Sequence, residues 1–182
     1  MRYLTTLLLA STSVYPRGAA KPPAGACSLI PATAIQQVFG EPVTNAKPAS
    51  QTSGEVTSSH CFYSLPTFTN SISVSLTAPG AANARHDAAR ELWQRWFHGE
   101  RDDGDHEAAG KSEEQEAASK ASPLPNLGDE AFWVHSFVGN LYVLKGNEFL
   151  RISIGGKLTD EERQERAQAL ARAALKTLNR KR

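Results

Sequence analysis

The sequence predicts an α+β fold, an antiparallel sheet of about five strands packed by two to three helices. Three observations carry this reading. Residues 71–77 alternate Ile72, Val74 and Leu76 with Ser71, Ser73 and Ser75, the period-two signature of a strand with one wet face. Three short apolar runs then follow one another at 131–138, 140–145 and 149–154, separated by Gly139-Asn140 and Gly146-Asn147, dipeptides suited to tight hairpin turns. Finally, Thr159-x-x-Glu162 forms a capping box ahead of Ala167, Leu170, Ala171, Ala174 and Leu178, which share one face of a helix.

The remaining elements fall between these anchors. Pro31 suits a first helical turn, Ile35, Val38 and Phe39 share a face, and Gly40 closes a short helix over 31–39. Residues 42–59 are rich in Ser, Thr and Pro and read as a loop with room for a short strand. A strand follows at 60–65, then the alternating one. Pro79-Gly80 ends it, and 82–97 reads as a helix whose stripe is Ala89, Leu92, Trp93, Trp96 and Phe97. Residues 99–122 are polar, acidic and poor in large apolar side chains, which predicts a long loop or insertion. Glu162 and Arg166 stand four apart on the last helix, as an ion pair would. Antiparallel strands backed by amphipathic helices are the economical way to bury these faces.

With 182 residues, 40% of them hydrophobic and 21% charged, the chain suits one domain with a real core. The net charge of +1 provides no field to attract nucleic acid, and the basic terminus Arg180-Lys181-Arg182 reads as a solvated tail. No apolar run reaches the roughly 18–20 residues of a membrane-spanning helix. The first residues have the layout of a secretory signal: Arg2, an apolar stretch over 4–10, and the small residues Gly18-Ala19-Ala20 before Lys21. The competing reading is a buried first helix. The expected organisation is therefore a signal peptide over 1–20, a flexible lead-in over 21–26, and one domain over 27–182 with a polar insertion at 99–122. Export predicts a periplasmic, cell-envelope or secreted location.

In such a compartment the chain's two cysteines, Cys27 and Cys61, are expected to pair. Closing that loop stabilises the fold by about 3–4 kcal/mol in the chain-entropy picture. The rival is lipid anchorage through Cys27, whose Ala24-Gly25-Ala26 lead resembles a lipobox without its upstream Leu.

Candidate chemistry is sparse. The densest cluster is His98 with Asp102, Asp103 and His106, a set of carboxylates and imidazoles that suits a divalent cation. It lacks the ordered spacing of a calcium loop or a zinc helix, so a solvated acidic loop is the plainer reading. No Ser stands in a Gly-x-Ser-x-Gly elbow. The adjacent aromatics Phe132 and Trp133 must point to opposite faces of a strand, so one of them is a candidate for an exposed binding surface. The expectation is a non-catalytic module that binds an envelope protein, a glycan or a lipid, without cofactor. The alternative is a small extracytoplasmic hydrolase built on His98, Asp102, Asp103 and His106.

Two stretches add a resemblance. One runs from Ala26-Cys27-Ser28-Leu29-Ile30 through Val38-Phe39-Gly40-Glu41-Pro42-Val43 to Cys61-Phe62-Tyr63. The other is Leu127-Gly128-Asp129-Glu130-Ala131-Phe132-Trp133, followed by Leu141-Tyr142-Val143-Leu144-Lys145-Gly146 and the Ala-rich final helix. Together they resemble a family of small bacterial secreted proteins and lipoproteins of uncharacterised function. The resemblance implies a disulfide-linked α/β sandwich of the PsbP-like sort, and it carries over no catalytic residue.

Overall fold

The computed structural model describes residues 25–80, 84–99 and 121–181. A 3-10 turn at Ala26–Ser28 leads into α1 (Ala32–Phe39). Strands β1 (Asn45–Ser53), β2 (Val56–Ser64) and β3 (Ser71–Pro79) precede α2 (Ala88–Phe97). Strands β4 (Ala121–Pro123), β5 (Glu130–Val134), β6 (Asn140–Lys145) and β7 (Glu148–Ile154) lead to α3 (Asp160–Lys181). The seven strands form one antiparallel sheet in the order β1-β2-β3-β7-β6-β5-β4.

Strand alternation divides the sheet into two faces. Cys61, Tyr63, Ile72, Val74, Ala131, Trp133, Leu141, Val143, Leu150, Ile152 and Ile154 point to one side, against α1 and the Ala167–Leu170–Ala171–Ala174–Leu178 stripe of α3. Cross-strand register keeps like with like, pairing Cys61 with Val74 and Val74 with Ile152. On the other side Val134, Tyr142, Leu144 and Phe149 meet Ala89 and Trp93 of α2. The first helix closes as expected, with Gly40 in the left-handed region at φ 73°. The capping box forms in both directions, Thr159 N–H donating to Glu162 Oε2 at 2.9 Å and Glu162 N–H to Thr159 Oγ1 at 3.2 Å.

Cys27 and Cys61 are joined, with their Cα atoms 4.9 Å apart and 34 residues between them in sequence. The bond ties the N-terminal segment to β2 across the buried face. Tyr63 reinforces it by donating its hydroxyl to Cys27 O at 3.1 Å, and burial pushes the phenol up to about 12.

The expected count of about five strands is corrected to seven. The additions are β1 and β4, the two edges of the sheet. All nine residues of β1 are exposed, so no apolar period marks it. Pro48 on β1 and Pro123 on β4 break up the free hydrogen-bonding rims, which discourages pairing with other chains. Strand β5 ends at Val134, short of the expected 138, because Ser136 turns the chain and Gly139 N–H donates back to it. The expected Glu162–Arg166 pair is absent; Arg166 instead lies over the Phe39 ring at 5.2 Å. The proposed signal segment at 1–20 and most of the lead-in and of the 99–122 insertion lie outside the described residues.

The Gly128-Asp129 turn has a definite task. A Cβ at Gly128 (φ +69°) would sit 2.4 Å from Leu144 O, so only glycine lets the turn lie against β6. Asp129 then donates its N–H to Leu144 O at 2.8 Å. Its carboxylate takes Lys145 Nζ at 2.7 Å and the Gly146 N–H at 2.7 Å. The Lys145 hydrogen bond, then that from Gly146, holds the carboxyl below its ordinary value.

Two outcomes follow from these contacts. Replacing both cysteines by serine should leave the circular-dichroism spectrum intact and lower unfolding stability by about 3–4 kcal/mol in denaturant titration. A carboxylate with a depressed folded pKa stabilises above its unfolded value, and that contribution disappears as pH falls below about 4. Asp129→Asn should therefore lower Tm at neutral pH and flatten its decline in acid.

Candidate functional site

On the α2 side, the described residues leave the β1–β2 edge of the sheet largely open. Between it and the helix lies a cleft of about 610 Å³, within the size range of small-molecule sites. Its helical wall is Ala88, Glu91, Leu92, Arg95 and Trp96, spaced three and four apart as one face requires. Its floor is Gln51 and Ser53 of β1 with Val56, Ser58 and His60 of β2. These are alternate residues, and register sets Gln51 beside Ser58.

The floor is fixed from the side by buried hydroxyls of the neighbouring strand β3. Thr77 Oγ1 lies 2.8 Å from Ser58 Oγ, and Ser75 Oγ lies 2.7 Å from His60 Nδ1. Ser75 and Thr77 are buried, at 8% and 5% exposure, so each relies on its β2 neighbour for a hydrogen-bonding partner. His60 is thereby oriented through Nδ1, leaving Nε2 as the ring nitrogen available to a ligand.

One end of the cleft is closed by a three-member ion cluster. Arg85 reaches Glu55 at 2.8 Å and Glu91 at 2.7 Å, using both carboxylate oxygens of the latter. The hydrogen bond from Arg85 holds the Glu55 carboxyl below its ordinary value. The cluster clamps the start of α2 to the β1–β2 turn. Arg90 Nε to Gly146 O at 3.1 Å and Asn147 to His86 Nδ1 at 2.6 Å do the same at the β6–β7 turn. Trp96 packs on Phe149 at 5.3 Å and on Tyr142 at 6.3 Å, which anchors the apolar wall.

The residues singled out in the sequence are distributed elsewhere. His98 Nε2 meets Glu130 Oε1 at 2.8 Å, while Glu130 Oε2 accepts Trp93 Nε1–H at 2.5 Å. Asp102, Asp103 and His106 lie outside the described residues. Among the described residues, no three His, Cys, Asp or Glu side chains gather as metal ligands. Phe132 and Trp133 do point to opposite faces, but helices cover both. Trp133 is 1% exposed under α3, and Phe132 is half-buried, stacked on Phe97 with centroids 4.6 Å apart. The expectation that one ring stands exposed is therefore corrected. Among the described residues the exposed phenylalanine rings are Phe62 on β2, at 47%, and Phe68 and Phe137, at 97% and 98%, the last two on loops that no apolar pattern flags.

One further array was not legible in sequence. Ser122 Oγ lies 3.0 Å from His135 Nε2, and His135 Nδ1 lies 3.0 Å from Asp160 Oδ2, which also accepts Trp133 Nε1–H at 3.0 Å. This is the connectivity of a hydrolytic triad. Its setting is different: Ser122 sits on an edge strand, and His135 is half exposed. The following residue, Pro123, has no N–H to offer a developing oxyanion. Leu124 N–H donates to Ala131 O, and antiparallel alternation then places the Ser122 amide in the ladder with Trp133. The array fastens β4 to the start of α3.

These features define an α+β protein with helices on both faces of an antiparallel sheet and a polar cleft beside α2. No protein-family profile matches the chain, and searches of the curated proteins and of the solved structures return no match.

If the array is a fastening, Ser122→Ala and His135→Ala should each speed amide exchange at 121–124. Each should cost about 1 kcal/mol or less, as for a part-exposed hydrogen bond. Resonances lining the α2 cleft should stay in place.

Proposed function

We propose that this protein is a non-catalytic exported module that binds a partner molecule in the cleft between α2 and strands β1 and β2. The observation that carries the reading is the floor of that cleft. Ser58 and His60 are held in fixed orientations by the buried hydroxyls of Thr77 and Ser75, opposite a wall containing Trp96. Preorganised polar groups beside an aromatic wall provide orientation and contact area at low entropic cost. Export is supported by the signal-like first 20 residues and by the Cys27–Cys61 bond, which persists in oxidising compartments. Among the described residues no helix is long and apolar enough to cross a membrane. The proposed kinship with a secreted family is carried by the sequence motifs that resemble it. His98 favours binding over metal-dependent hydrolysis, since its Nε2 is engaged by Glu130.

The test is a 15N-NMR titration of the disulfide-intact chain against panels of envelope saccharides, peptides and lipid micelles. At least one class should shift resonances of Gln51, Ser58, His60 and the Trp96 indole together, and His60→Ala should weaken that ligand at least tenfold. Shifts mapping consistently away from α2, or turnover of a ligand abolished by Ser122→Ala, would refute the reading.

A further inference from the structure

We infer that the ligand of the α2 cleft is a saccharide bearing a carboxylate; this rests on the binding reading above and narrows it to a chemical class. The argument begins with the mixture of hydrogen-bonding groups. Ser58, Gln51 and His60 provide both donors and acceptors, while Glu55 and Glu91 provide acceptors and Arg85 and Arg95 donors. A sugar hydroxyl is itself donor and acceptor, so a ring of such groups is matched by a mixed lining. A lipid chain would desolvate Gln51, His60 Nε2 and the Arg95 guanidinium without offering them a partner, at a cost of about 1–3 kcal/mol each. The apolar wall of Leu92 and Trp96 suits the C–H faces of a pyranose.

The charge is set by bookkeeping of the ion pairs. Arg95 would ordinarily take Glu91, four residues before it on the same helix. That carboxylate is instead turned to Arg85, which holds it bidentately at 2.7 Å. The same Arg85 also engages Glu55 at 2.8 Å. The Arg85–Glu55–Glu91 cluster carries one net negative charge, concentrated at the closed end. Among the described residues Arg95 has no carboxylate within ion-pair distance. Among the described residues the exposed guanidinium at the cleft wall thus offers its fork to one carboxylate. A densely phosphorylated or sulfated ligand would meet Glu55 and Glu91 with too few cations to offset them.

The experiment compares trigalacturonate with its fully methyl-esterified form, which keeps the skeleton and removes the charge. Calorimetry and 15N-NMR are run on the disulfide-intact chain and on Arg95→Gln, whose exposed site makes folding safe. The acid should shift Ser58, His60 and Trp96, and bind about tenfold more tightly than the ester at low salt, with the margin shrinking as salt rises. Arg95→Gln should abolish that margin. Equal affinities for acid and ester, or an unchanged margin in Arg95→Gln, would overturn the carboxylate assignment while leaving a cleft that binds saccharides. Failure of both forms to shift any cleft resonance would overturn the saccharide class. The peptide and lipid titrations then decide separately whether the cleft binds at all.

Discussion

Strand alternation is the constraint on which this molecule rests. In β3, Ile72, Val74 and Leu76 point to one side of the sheet and Ser73, Ser75 and Thr77 to the other. The first set builds a continuous core beneath α1 and α3. The second set cannot be buried without partners; Ser75 and Thr77 lie beneath the edge of α2 and find theirs in His60 and Ser58 of β2. A one-residue slip of register would exchange these faces and destroy both the core and the cleft floor at once.

The two helical layers differ in reach. Helix α3 has 22 residues, about 33 Å of length, and crosses the sheet with an alanine-rich stripe that permits close approach. Helix α2 has ten residues, about 15 Å, against a seven-stranded sheet whose width is about 29 Å at the usual strand spacing. It lies over β3 and β7, and its aromatic side chains reach out to Phe132, Tyr142 and Phe149. Beyond its edge the sheet presents Gln51, Ser53, Ser58 and His60, backed by the buried Ser75 and Thr77. The cleft is the step between the covered and uncovered parts, and hydroxyl pairs across β2 and β3 keep its floor from collapsing.

The disulfide and the Gly128 turn work at opposite sides of the sheet. Cys27–Cys61 secures the N-terminal segment over β2, beside the exposed edge strand β1. Gly128 and Asp129 secure the β4–β5 connection against the β6–β7 hairpin. Both edges are short of apolar contact, since β1 is exposed throughout and β4 is three residues long. Covalent and charge-assisted ties stand in for packing there. The Ser122–His135–Asp160 array belongs to the same economy: it holds a three-residue edge strand of which Ala121 meets the core.

Elements that bury a periodic apolar face were legible in the residues themselves. The alternation at 71–77, the hairpin over 140–154, the capping box at Thr159 and Glu162, and the cysteine pair all follow from local rules of pitch, turn chemistry and redox compartment. The edge strands β1 and β4 were not, because a strand exposed along its length has no hydrophobic period and takes its place from its neighbour's hydrogen bonds. Nor was the cleft. Its wall and floor come from α2 and from β1–β2, up to 45 positions apart between Gln51 and Trp96, and each residue looks like ordinary polar surface until the sheet brings them together. Sequence alone determined which segments had a face to bury, since that is a property of neighbouring residues. Tertiary structure decided which polar side chains would converge, because convergence depends on helix length measured against sheet width.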